Sequence, residues 1–231
     1  MLGTPARRRG VEFLDDPRTE PTVRERAMAD VARSNRLFGG TRSATRALRT
    51  LYVRLAPRAT LLDVGTGMAD VPTAARADAT ALGVRLEVFG ADIAADLLAV
   101  ARARLDAAVA ADAMRLPFAT GSVDVVTCSQ MLHHFLDEDA RTVIAELHRV
   151  ARRFVVIADL RRSWVAAGGF WLAAFGLRFH PVTRHDGVVS VMRGFTAAEL
   201  RSLVRDATGI TPLVRRDAFW RLTAVWPKAA A

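Results

Sequence analysis

The 231-residue sequence has one cysteine, one lysine and no apolar run of membrane-spanning length. A lone Cys128 excludes an internal disulfide and any metal cluster built on cysteines. The most apolar segment, Trp164 to Phe179, is shorter than the ~20 residues a span needs and is interrupted by Gly168-Gly169 and Gly176. The N-terminal MLGTPARRRGVEF has arginines with no apolar stretch behind them, which does not read as a secretory signal. A soluble, cytoplasmic protein without a membrane span is expected. Lys228 is the only lysine, so the formal net charge of +9 rests on arginine, and alanine is abundant beside it. GC-rich codons favour both residues, which weakens the charge as a sign of a nucleic-acid partner. Repeats and low-complexity linkers are also missing. What is present is a hydrophobic share of 51%, enough for a sizeable core.

The chain is organised around LLDVGTGMAD, Leu61 to Asp70. A strand-like run enters Gly65-Thr66-Gly67, and an alanine-rich helical pattern follows. A strand that ends in glycines and opens a helix gathers bare backbone N–H groups and a positive helix end at one point, a place for a nucleotide-like ligand. Residues 1–20 lack periodicity and read as a mobile arm or late-ordering strap. Helices are expected over 22–38 and 41–55, separated by Gly39-Gly40. Strands at 59–65, 84–91, 107–111, 122–129 and 154–158 then alternate with helices at 71–82, 93–105 and 137–150. That alternation calls for a parallel sheet with helices on both faces, and ligands lie beyond the carboxyl ends of such strands. Asp92, Asp112, Ser129 and Asp159 fall on that rim. After Leu160 the pattern turns aromatic and glycine-rich. A helix at 196–205 begins with Thr196 and Glu199 spaced as a capping box, and strands at 210–216 and 219–226 close the chain as an antiparallel pair.

A dinucleotide loop would read Gly-x-Gly-x-x-Gly, but Asp70 stands at its third glycine and Asp92 comes late for its ribose acid. The stretches LLDVGTGMAD, FGADIAADLLAVARARL and AADAMRLPFATGSVDVVTCSQMLHHF together resemble, in order and spacing from Leu61 to Asp159, the class I S-adenosylmethionine-dependent methyltransferases. The resemblance implies an α/β fold: a Rossmann-like, doubly wound, mostly parallel seven-stranded sheet with an antiparallel C-terminal hairpin and a helical lid. Residues 1–58 would be an N-terminal arm and cap helices, and 59–231 the methyltransferase domain with a lid insertion at about 161–190. S-adenosylmethionine is the implied cofactor, and no metal is implied. Asp63 and the backbone of Gly65, Thr66 and Gly67 would hold its methionine part. Asp92, with Ile93 beside it, would take the ribose hydroxyls, because an acceptor-only carboxylate suits two O–H donors. Asp112 would accept from the adenine amine, with Ala113 and Met114 as backbone contact and apolar wall, while the main chain at Cys128 and Ser129 faces the sulfonium. The family's loop has a glycine where this chain has Ala69, and only a minor adjustment is expected. NRLFGGTR, Asn35 to Arg42, resembles the segment ahead of this loop in quinone-biosynthesis C-methyltransferases, which would bring Arg42 to the cofactor carboxylate.

The acceptor is read from the histidines and the lid. A hydroxyl nucleophile gains from a base that titrates near neutral pH, and all five histidines follow the fourth strand. His185, beside Asp186 in an expected lid loop, is the foremost base, with Asp186 as its orienting carboxylate. His134 and His133 are the further candidates, although a packing role for one of them is expected. His148 reads as a surface residue or helix-dipole partner. Trp164, Phe170, Trp171, Leu172, Phe175, Leu177 and Phe179 give the lid apolar surface suited to an aromatic or lipid-like acceptor. NRLFGGTR together with RHDGVVS also resembles methyltransferases associated with polyketide synthases. The expected reaction is O-methylation of a phenolic hydroxyl on a polyketide or quinol-like small molecule, with C-methylation as the alternative. An RNA methyltransferase with Cys128 as nucleophile is disfavoured by Thr127, where proline is usual. A catalytically silent binding fold and an NAD-dependent oxidoreductase complete the alternatives. The partner is thus a small molecule rather than nucleic acid, and the oligomeric state is open.

Overall fold

In the computed structural model, which describes residues 3–8, 10–16 and 18–228, seven strands form one sheet in the order β3-β2-β1-β4-β5-β7-β6. Strands β1 (Arg58–Val64), β2 (Arg85–Asp92), β3 (Ala107–Ala110), β4 (Val123–Ser129) and β5 (Ala151–Leu160) run parallel. The hairpin β6 (Leu213–Asp217) and β7 (Arg221–Pro227) adds antiparallel at the β5 edge. The helices are α1 (Pro21–Leu37), α2 (Gly40–Tyr52), α3 (Asp70–Ala81), α4 (Ala95–Ala101), α5 (Asp137–Val150), α6 (Trp164–Gly176), α7 (Pro181–Arg193) and α8 (Ala197–Thr208).

Both faces of the sheet are buried, which is why its central strands are continuously apolar. Side chains alternate across it with the two-residue period of a strand. Leu61, Val88, Val125 and Val156 pack with Leu48, Leu51 and Tyr52 of α2 and Ala75 of α3. Leu62, Val126, Val155 and Ile157 pack on the other face with Ile144 and Leu147 of α5 and Leu200 and Val204 of α8. Removing one of these leucines to the β-carbon costs about 2–5 kcal/mol. The chain winds outward from β1 to β3 and then returns to β4 on the other side of β1, where Val64 pairs with Cys128. The carboxyl ends of β1 and β4 are therefore the topological switch point.

The expected elements form, and Thr196 and Glu199 make the anticipated capping box. Three stretches depart from expectation. The helix after β2 stops at Ala101 and tightens into a 3₁₀ turn, Arg102–Arg104. The lid is a helical hairpin in which HPVTRHDG is not a loop but the start of α7. His180 caps that helix, with Nδ1 accepting from the Val182 N–H at 3.3 Å, and Pro181 occupies the first turn. Of the two forms expected for residues 1–20, the described part takes the strap and departs only from the mobile arm. The N–H groups of Phe13 and Leu14 each donate to the Asp186 carboxylate at 2.9 Å, and Glu12 accepts from Ser190 Oγ at 2.8 Å. Arg7 donates to the Arg193 and Phe135 carbonyls at 2.6 and 2.9 Å and pairs with Asp137. These anchors are polar and local, so no hydrophobic period marks them.

Candidate active site

Above the switch point lies a cavity of about 800 Å³, floored by the glycine loop and covered by α1, α6, α7 and the strap. Gly65 has φ +72°, and a Cβ there would sit 2.7 Å from Met131 Cγ, so this position requires glycine. Gly67 has φ +52° and donates its N–H to Asp92 Oδ2 at 2.8 Å, while Asp92 Oδ1 accepts from Ala94 at 2.9 Å. Asp92 therefore ties the loop to the following helix as well as facing the cavity. Ala69, which stands where the resemblance implies glycine, adopts the left-handed conformation, φ +62°, at a cost of about 1–2 kcal/mol. Asp112 Oδ1 accepts from the Met114 N–H at 2.8 Å, and Ile93, Ala113, Met114, Ser129 and Thr66 complete this side of the wall.

Asp63 ends β1 beneath the loop. Its Oδ1 is buried without a hydrogen bond. Burial pushes its carboxyl up to about 7; the nearby Thr66 hydroxyl offsets this in part and Asp92 adds to it. An orphaned buried carboxylate beside a side-chain-free loop fits a ligand amine. Asp92 and Asp112 at the next two strand ends fit a ribose and a base. The residues present thus fit S-adenosylmethionine.

Beyond β4 the chain passes Gln130 and enters a 3₁₀ turn, Leu132–His134. His133 is buried there, with Nδ1 2.6 Å from Asp159 Oδ1 and its backbone N–H donating to Asp159 Oδ2 at 3.0 Å. Asp159, at the end of β5, also accepts from Leu160 N–H at 2.7 Å. Burial would raise the Asp159 carboxyl, but the charge and hydrogen bond of His133 hold it below the usual range. With Nδ1 engaged, Nε2 is the ring nitrogen His133 has for the cavity it lines. The His134 ring lies 4.4 Å from that of His133, with its Nδ1 3.2 Å from the Arg193 guanidinium. Glu12, His133 and His134 bring donor atoms within 4.8 Å of one another, but Arg193 already pairs with Glu12 at 2.9 Å and matches its charge.

Three expected site residues lie elsewhere. Arg42 is exposed on the first turn of α2, and its neighbour Thr41 lines the cavity, because successive helical residues point about 100° apart. The Cys128 side chain is fully buried in the core, and burial, with Asp159 and Asp63 nearby, drives its thiol well above the ordinary range, against the nucleophile of the RNA alternative; of the main-chain pair expected at the sulfonium, it is Ser129 that lines the cavity. His185 lies on the outer face of α7, with its ring 4.7 Å from that of Phe13. Residues 183, 186, 187, 190 and 191 of α7 form the inward stripe; the expected His185–Asp186 pair forms, Nδ1 to Oδ1 at 2.9 Å, but it holds the imidazole outside the cavity, and the same carboxylate also accepts from the strap. Of the expected lid aromatics only Phe170 reaches the cavity; Phe179 is buried, and Trp164, Trp171, Leu172 and Phe175 face outward. His148 accepts from the Trp226 indole at 3.3 Å instead of standing at the surface.

Arg221 is a cavity residue that the sequence reading passed over. Its buried guanidinium donates to the Phe38 carbonyl at 3.2 Å and to Gln130 Oε1 at 2.6 Å, and among the described residues it has no ion pair. Burial lowers it to about 10, with Asp159 opposing. The available signal was its position: a lone charge opening an otherwise uncharged, buried strand.

The switch-point glycine loop, the acids on successive strand ends and the antiparallel closing hairpin are the layout of the Rossmann-like methyltransferase fold. The sequence profile of the methyltransferase domain family matches residues 62–157, which hold all of these loop and strand-end features. Residues 62–157 thus carry a methyltransferase domain, whose cofactor is S-adenosylmethionine. Among solved structures, an O-methyltransferase family protein from Burkholderia thailandensis shares the fold with a TM-score of 0.61 at 14% identity, over 89% of this chain and 60% of that one. Magnesium protoporphyrin IX methyltransferase from Synechocystis PCC 6803, solved with bound S-adenosylhomocysteine, gives 0.58 at 16% identity over 86% and 87%. A candidate O-methyltransferase from Nostoc punctiforme PCC 73102 gives 0.56 at 16% identity over 80% of this chain, which spans only 56% of that protein. No curated protein sequence matches the chain.

Proposed function

We propose that the enzyme O-methylates a phenolic hydroxyl on a small aromatic or lipophilic acceptor, with His133 as the general base. The observation that carries this reading is the buried His133–Asp159 pair at the cavity wall, four residues beyond the end of β4. When bound, S-adenosylmethionine supplies a methyl group on a positive sulfonium. The chain's residues do the rest. Ionised Asp63 takes the ligand amine, Arg221 takes its carboxylate in the role expected of Arg42, and Asp92 and Asp112 hold ribose and base. Asp159 fixes the His133 tautomer through Nδ1, so Nε2 is the atom that accepts the hydroxyl proton. Met28, Val31, Phe38, Phe170 and Val191 form the apolar part of the wall, which orients a flat acceptor and keeps water out.

Single-turnover assays on a phenol and quinol panel test this. His133→Gln should lower turnover by roughly 10²-fold or more while leaving S-adenosylhomocysteine affinity in place. His185→Ala, on the outer face of α7, should stay within about twofold of the parent, since the ordinary base contribution of 10²–10⁴ is absent there. Parental turnover in folded His133→Gln would overturn the assignment.

A further inference from the structure

The outward side of α6 carries no polar side chain at all. Its thirteen residues, WVAAGGFWLAAFG, include Trp171, Leu172 and Phe175 at 54%, 66% and 61% exposure, with Trp164, Val165 and four small residues on the same arc. An apolar arc of this width on a water-facing helix marks an interaction surface. Only Ala166, Ala167 and Ala174 are buried against the protein, so the large side chains are not there for the core.

The surroundings point to one kind of partner. Residues 160–185 contain no acid; of their arginines, Arg178 is exposed and Arg161 and Arg184 are half-buried, while Arg162 is buried against Glu199. Arg8 lies over the Trp164 ring at 5.1 Å and Arg184 over the Phe175 ring at 5.4 Å, which puts a guanidinium at each end of the apolar arc. The acids that contact this hairpin from outside it are engaged: Asp30 by the His180 N–H at 2.7 Å, and Glu12 by Ser190 Oγ at 2.8 Å and Arg193 at 2.9 Å. Two copies meeting through this face would oppose their arginine ends. An anionic bilayer satisfies both parts, because the headgroups meet the guanidinium groups and the interfacial hydrocarbon receives Trp, Leu and Phe. Val165 and Gly169 belong to the exposed arc and also line the cavity. We propose that α6 docks the enzyme on anionic lipid surfaces, with the mouth of the acceptor cavity opening at the membrane interface.

The test is flotation with vesicles of phosphatidylcholine alone or with about one-third phosphatidylglycerol, at low and high salt. The parent should bind the anionic vesicles at least about tenfold more tightly than the neutral ones, and salt should weaken the binding. The triple variant W171S/L172S/F175S should lose this binding while keeping parental thermal stability and parental turnover on a water-soluble phenol. Arg8→Glu with Arg184→Glu should lose the preference for anionic lipid. Equal flotation of parent and triple variant, or no flotation of the parent, would overturn the proposal. So would a parental dimer that the triple variant dissociates, since a second copy would then cover the face. Failure to methylate any phenol would sink the acceptor reading alone and leave the flotation result standing.

Discussion

At Arg221 a guanidinium is buried in the cavity wall with two neutral partners, Gln130 and the Phe38 carbonyl. Leaving such a cation without an anion is costly unless a ligand supplies one. If that anion is the methionyl carboxylate, Arg221→Met should weaken S-adenosylhomocysteine about tenfold or more, the scale of one charge-assisted contact. Methylthioadenosine, which lacks the carboxylate, should bind both proteins alike by titration calorimetry. Equal losses for the two ligands would show a structural role instead. At this scale the sequence was legible where position along a strand determines exposure: Asp63, Asp92 and Asp112 all reach the cavity. It misled where adjacency stood in for geometry. His185 and Asp186 do pair, at 2.9 Å, but with the imidazole on the outer face of α7, whereas His133 and Asp159, 26 positions apart, pair at 2.6 Å in the cavity wall.

The lid hairpin shows what one element contributes to another. Gly187 of α7 faces the Phe170 ring of α6 so closely that a Cβ there would collide with it. The close approach leaves room for Phe170 in the cavity wall. Gly187→Ala should cost about 1–3 kcal/mol by overpacking. Steady-state assays should show the KM of an aromatic acceptor rising about tenfold, with cofactor affinity unchanged, since the cofactor side of the wall lies on other elements. An unchanged acceptor KM would remove Phe170 from the acceptor site. The strands and α5 were legible because alternation and helical period are written in their apolar residues. The facing of α6 was not, because a helix apolar on every side carries no stripe. The strap was illegible for the opposite reason. Asp186, Ser190 and Arg193 hold it through polar contacts that leave no pattern in residues 10–16.

Across the whole molecule, acids with shifted titration couple folding, pH and cofactor. Glu199, held by hydrogen bonds from Arg162 and Thr196, falls to about 2, so its contribution to stability is present above its unfolded value and lost as pH falls toward 2. Asp63 has the opposite sign. Its folded value of about 7 lies above the unfolded one, so its contribution is present below about pH 4 and lost as pH rises toward 7. An apoprotein near neutral pH therefore carries a destabilising carboxylate beneath its glycine loop. A ligand amine next to Asp63 removes that strain by favouring the ionised form, and binding releases a proton wherever the free protein was still protonated. Cofactor affinity must then rise with pH up to about 7, by at most tenfold per unit for one group. In melting curves, the Tm increment from saturating S-adenosylhomocysteine should grow between about pH 5 and about pH 7. Asp63→Asn cannot titrate, so its increment should stay flat over the same window, which separates Asp63 from His133. A parental increment equal at both ends of that window would mean that Asp63 does not meet the amine. The glycine loop would then hold its ligand through backbone groups, Asp92 and Asp112 alone.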